Sequence, residues 1–216
     1  MKNPETWDPH KFLNSILEKG ELSIKNIKQS TGLSYLASFG IYVGWKYRMG
    51  GRGLSAIDKR CEKASGAPWF LKEDDMKMCI FSRGRGKPIA EVVDKNCEHI
   101  ANLVSLARTD LSYLRALQFV LRSQHDIYFS GYKPTKKLHD EEVIEQIRRR
   151  YEGAKGFQMN ISIEGRRRIY YISHEKETIM KVYQRADANF IVHSFSDIFK
   201  VLRRIDRLVK RLNKYF

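Results

Sequence analysis

An α+β fold, with a mostly helical N-terminal two-thirds and a small antiparallel β-sheet plus basic amphipathic helix at the C-terminus, is predicted by three observations. From Val93 to Gln124 there is neither Gly nor Pro, and Val93, Cys97, Ile100, Val104, Ala107, Leu111 and Leu114 recur in alternating steps of four and three, the helical period. From Phe157 to Ile163 apolar residues alternate with Gln158, Asn160 and Ser162, the strand period. From Ser196 onward Ile198, Leu202, Ile205, Val209, Leu212 and Phe216 form one seam among Lys and Arg, an amphipathic pattern. The break at Tyr132-Lys133-Pro134-Thr135 divides the chain into a mainly helical region, 1–131, and a small basic α+β region, 138–216.

Asp8-Pro9 before Phe12, Leu13, Ile16 and Leu17, with Gly20 behind them, reads as a short capped helix. Leu22 to Ser34 follows, with Ile24 and Ile27 at helical spacing, Gly32 placed for a tight turn and Leu33 beneath it. This segment, extended to 22–46, resembles the helix-turn-helix pattern. The resemblance implies that Ser34 caps a second helix through Tyr35, Leu36, Phe39, Ile41 and Tyr42, whose start faces a major groove. Gly40 and Gly44 lie within that helix, each costing about 1 kcal/mol relative to Ala.

Two Gly-basic loops come next, Gly51-Arg52-Gly53 and Gly84-Arg85-Gly86. Each is expected to precede a helix start, where exposed backbone N–H groups favour an anion. Arg83, Arg85 and Lys87 also resemble an AT-hook core, with Gly86 where that motif has Pro. The long core helix is placed at 92–124, with Thr109-Asp110 able to restart it after a kink. A helix from Asp140 to Tyr151 ends in Arg148, Arg149 and Arg150, complementing its dipole. The strand from Phe157 turns at Glu164-Gly165 and returns through Arg168-Ile169-Tyr170-Tyr171-Ile172, placing Arg166, Arg167 and Arg168 at the hairpin tip. Thr178–Gln184 and Phe190–His193 are expected to extend the sheet to three or four strands.

Charge carries the functional expectation. Forty Lys and Arg against 25 Asp and Glu leave a formal +15 on 216 residues, and 141–216 holds +7 of it. Each phosphate neutralised by Lys or Arg releases a condensed counterion, so such an excess suits a polyanionic partner. With 42% hydrophobic residues the chain can bury a core, so it is not a disordered basic tail. The expected function is nucleic-acid binding, DNA favoured over RNA, through phosphate contacts from Arg52, Arg83, Arg85, Lys87, Arg148–Arg150, Arg166–Arg168, Arg203, Arg204, Arg207, Lys210 and Arg211.

Two alternatives are a metal-dependent nuclease of a mobile element or virus, and an oligomeric packaging or scaffold subunit pairing through Ile198, Leu202, Ile205, Val209 and Leu212. Glu73-Asp74-Asp75 and Asp140-Glu141-Glu142 are the acidic clusters, but no carboxylate set, His spacing or Cys pair matches a metal or catalytic signature. No catalytic residue, metal ligand or cofactor is assigned. The three Cys form no disulfide framework, which suits a cytoplasmic or nuclear location, and neither a signal peptide nor a transmembrane segment is read.

Overall fold

The computed structural model describes residues 23–31, 38–39, 41–43, 56–93, 95–129, 141–165 and 167–214. They form α1 (Ile24–Thr31), α2 (Ala56–Lys63), β1 (Trp69–Asp74), β2 (Lys77–Ser82), β3 (Ala90–Val92), α3 (Glu98–Phe129), α4 (Glu141–Arg150), β4 (Gln158–Glu164), β5 (Arg167–His174), β6 (Glu177–Val182) and α5 (Arg185–Leu212). A 3₁₀ turn, Lys95–Cys97, leads into α3. The fold is α+β, built on a six-stranded antiparallel sheet in the order β1-β2-β3-β6-β5-β4.

The chain divides into two compact units: one comprises 56–112 and 145–200, the other 1–55, 113–144 and 201–216. In the second, α1 starts where Ser23 Oγ accepts a hydrogen bond from the Asn26 amide at 3.1 Å, the capping bond that satisfies a free helix N–H. Ile27, Leu114, Leu117, Val120, Leu121, Leu202 and Ile205 are buried there.

The first unit contains the whole sheet. Two hairpins close on two-residue turns with left-handed backbone, Asp75 (φ 48°) with Met76 (63°) and Glu175 (48°) with Lys176 (79°). Such turns match the right-handed twist of the flanking strands. The register aligns Ile80, Ala90, Val182 and Tyr170 across β2, β3, β6 and β5, all of them buried. This face meets the helices: the Trp69 ring on β1 lies 5.1 Å from that of Phe190 on α5.

Buried polar groups fix the same layer. Arg60 grips Asp197 with a two-pronged bond, Nε to Oδ2 at 2.8 Å and Nη2 to Oδ1 at 2.7 Å. Arg108 donates to the Ser65 and Cys61 carbonyls at 3.1 and 2.9 Å. Asp187 accepts from the Ser65 amide and hydroxyl at 2.6 and 2.8 Å. Each buried charge thus has a partner, without which it would cost several kcal/mol.

Several sequence expectations are corrected. Half of the sheet comes from residues 69–92, within the stretch read as mainly helical; Asp75-Met76 makes a hairpin turn without the usual Gly or Asn signal. Gly84-Arg85-Gly86 therefore connects two strands and does not open a helix. The core helix starts at Glu98 and not at 92, because Ala90–Val92 pairs with β2 and β6. It runs unbroken past Thr109-Asp110. Phe190–His193 belongs to α5, which begins at Arg185 and not near Ser196; the helical recurrence of Ala188, Ile191, Phe195 and Ile198 outweighs a short β-favouring run. Most of the 22–46 segment and the 132–135 break lie outside the described residues.

Candidate nucleic-acid interface

Antiparallel pairing places three connections at one end of the sheet. Glu164 faces Arg167 across the β4–β5 tip. Ala90 faces both Ile80 and Val182, so the β2–β3 loop and the exit of β6 emerge at the same end as that tip. Gly84 (φ 81°) and Gly165 (φ 61°) take the left-handed backbone these connections need. Arg83, Arg85 and Lys87 therefore share an end with Arg167 and Arg168, joined by Arg185 at the start of α5. All six are exposed. From β2 to β5 is three inter-strand steps, about 14 Å at ~4.8 Å each. No ion pair engages these six side chains among the described residues.

The sheet face turned away from Trp69 carries a different chemistry. Lys72, Cys79, Glu91, Lys181, Tyr171 and Asn160 form one cross-strand row on it. Two of its acids, Glu91 and Glu164, are engaged. Lys77 Nζ lies 2.7 Å from Glu91 Oε1, and Tyr183 Oη donates to Glu91 Oε2 at 2.9 Å. Glu164 accepts from Lys181 Nζ at 2.7 Å and from the Tyr171 hydroxyl. The Lys77 ammonium holds Glu91 below the usual carboxylate range, and Lys181 does the same for Glu164. Toward the basic end, Phe70 stacks on Phe81 at 5.9 Å, and Phe70 and Tyr183 stay 44% and 37% exposed.

The remaining basic residues divide by their partners. Arg150 pairs with Asp110, which also accepts from Tyr151 Oη at 2.8 Å; burial and that carboxylate push the Tyr151 hydroxyl well above its ordinary pKa. Arg150 is thereby committed to joining α4 to α3. Arg148 and Arg149 lie 3.3 and 3.2 Å from Glu145, within their own helix. In the other unit Arg203, Arg207, Lys210 and Arg211 are exposed on α5 and Arg204 half-buried. The Arg207 Nε bonds the Arg203 carbonyl at 3.2 Å. Arg52 and Arg166 lie outside the described residues. The seam residues Ile198, Leu202, Ile205 and Leu212 are buried, with Val209 half-buried, so this seam is occupied by the chain's own packing.

Sequence reading missed Phe70, Lys72, Tyr183 and Arg185. The signal for the first two was the alternation of Trp69 and Leu71 with Phe70 and Lys72, which marks opposite faces of a strand. An open cavity of about 620 Å³ is lined by Leu71, Met78, Asn96, Glu98, His99 and Asn102, with one carboxylate and one imidazole. Among the described residues no three His, Cys, Asp or Glu side chains are placed to hold a metal ion, and no helix is long and apolar enough to cross a membrane. Compared with protein-family models, curated proteins and solved structures, the chain matches none.

Proposed function

We propose that the protein binds nucleic acid through phosphate contacts made by the basic end of its sheet, with the exposed basic side of α5 as a second cationic surface. The observation that carries this reading is the gathering of Arg83, Arg85, Lys87, Arg167, Arg168 and Arg185 without carboxylate partners among the described residues, on a chain of net charge +15. Cations that stabilise a fold are paired, as Arg60, Arg108 and Arg150 are. Exposed, unpaired cations crowded together repel one another, and a polyphosphate removes that repulsion while releasing its counterions. DNA is the expected polymer and RNA the comparison.

The test is fluorescence anisotropy against DNA and RNA probes at several salt concentrations, with and without Mg²⁺. Affinity falling steeply and linearly on a log–log salt plot supports the reading, by about 0.7 to 0.9 per phosphate contact. A salt-independent affinity, or none, overturns it. Probes cut only with Mg²⁺ would bring the nuclease alternative forward.

A further inference from the structure

Resting on that reading, we infer that the ligand is single-stranded nucleic acid, laid across the strand ends so that its bases stack on Phe70 and Tyr183 while the basic end holds its backbone. A duplex hides its bases and presents a binding protein with phosphates and groove edges. A single strand offers base faces as well, and proteins that hold it combine a cationic track with aromatic platforms. Both components occur here side by side.

The register supplies the geometry. Phe70 pairs with Phe81, the Ile89 amide donates to the Ile80 carbonyl at 2.8 Å and the Tyr183 amide to the Ile89 carbonyl at 3.2 Å. Phe70 with Phe81 on one side, and Tyr183, bonded to Ile89, on the other, thus lie on this face toward the basic connections, beyond the row through Lys72, Cys79, Glu91 and Lys181. Phe70 and Tyr183 stand three inter-strand steps apart, about 14 Å at ~4.8 Å each. At a stacked rise of ~3.4 Å per base that span covers roughly four steps, so the two rings receive different bases of one strand.

Each ring is held in place. Phe81 backs Phe70 at 5.9 Å with an interplanar angle of 16°, and Glu91 anchors the Tyr183 hydroxyl. Both rings nevertheless keep exposed surface, which an aromatic side chain serving only the core would bury. Charge on the face also fits. Glu91, which holds the Tyr183 hydroxyl, and Glu164 are matched by Lys77 and Lys181, while Lys72 beside Phe70 and Arg167 beyond Tyr171 are exposed and bear no ion pair among the described residues.

The test compares an oligothymidylate, an oligouridylate and a mixed-sequence duplex of equal length at fixed salt, with the full chain and the variants Tyr183→Leu, Tyr183→Phe and Phe70→Leu. The inference expects the single strands to bind more tightly than the duplex. Each Leu variant should lose about tenfold or more on the single strands, in line with the loss of one base–aromatic stack, and Tyr183→Phe should bind as the parent does. Photo-crosslinking of a halouracil-substituted single strand to the unmodified protein, read by peptide mass spectrometry, should place adducts on Phe70 or Tyr183 without any substitution. Duplex binding at least as tight, with Leu variants unchanged and crosslinks elsewhere, overturns the inference and leaves nucleic-acid binding standing. No binding to any probe overturns both. The oligothymidylate and oligouridylate arms separate DNA from RNA.

Discussion

Two populations of arginine sit in the unit that holds the sheet, and they differ in what surrounds them. Arg60, Arg108 and Arg150 lie among the helices, each committed to a carboxylate or to backbone carbonyls. Arg83, Arg85, Arg167 and Arg168 stand at the strand ends, exposed and without an ion pair among the described residues; even Glu164, which faces Arg167, is engaged by Lys181. Guanidinium is the same chemistry in both places: a rigid fork of donors that is always charged. Where the fold supplies acceptors that fork fixes the architecture; where none engages it, the donors stay exposed, and under the proposed function they meet phosphate. Sequence shows the number of cations, and only the fold divides them into these two roles.

The sharpest way to break that comparison is to remove one acceptor from the first population. Asp197→Ala leaves Arg60 without its carboxylate, and stability should fall by about 3 to 5 kcal/mol. Arg83→Ala should move it by less than about 0.5 kcal/mol. Urea denaturation of both variants checks this, and equal losses would mean that the two populations are one.

The second population should answer in binding instead. Arg167→Ala combined with Arg168→Ala should leave the unfolding midpoint where it is and lower the salt slope of nucleic-acid affinity by roughly 1.4 to 1.8, the value for two phosphate contacts. Parallel titrations across salt concentrations measure it. An unchanged slope would remove the hairpin tip from the interface and leave the β2–β3 loop and α5 to carry it.

How much of this was legible in the sequence depended on the range of the interactions. The alternation from Phe157 and the four-and-three recurrence through Leu114 are local, and they gave an α+β fold with β4, β5 and α3 in place. The first half of the sheet was hidden for a physical reason. Asp75-Met76 turns without Gly or Asn, β3 is only three residues long, and the acids and lysines of β1 and β2 looked like solvated charge when they were the outward face of strands. The site divided in the same way. A run such as Arg148–Arg150 is visible, but its last member is bound to an aspartate 40 residues away, and Arg60 to one 137 residues away. Nothing local distinguishes those arginines from Arg167 and Arg168.

A smaller effect comes from pH. Burial and the Arg60 guanidinium lower the His193 pKa from its ordinary 6.5, against the opposing pull of Asp197; Lys200 adds to the lowering. The folded state therefore prefers the neutral imidazole. Its contribution to stability is present above about pH 6.5 and is lost as pH falls through the lower folded-state value. The urea midpoint should decline as the solution is taken below that point, and His193→Gln should flatten this part of the profile. A profile unchanged by the substitution would assign the acid sensitivity to carboxylates such as Glu91 and Glu164, whose lowered pKa values place their loss at more acidic pH.

The smallest effect, at Ile163, tests the edge of the sheet against its centre. Sequence periodicity treats Ile161, Ile163 and Ile172 alike, as inward residues of alternating strands. In the fold β4 is the outermost strand, and Ile161 and Ile163 are 59% and 72% exposed while Ile172 is fully buried. Alternation fixes which face a side chain points to, and the position of its strand in the sheet determines whether anything lies over it. Ile163→Thr keeps the β-branched shape and should shift stability by less than about 0.5 kcal/mol. Ile172→Ala opens a cavity and should cost about 2 to 5 kcal/mol, so a thermal or urea melt separates them directly. A large loss at Ile163 would mean that something packs over β4 in solution, and the apolar side of that edge would then belong to an interface.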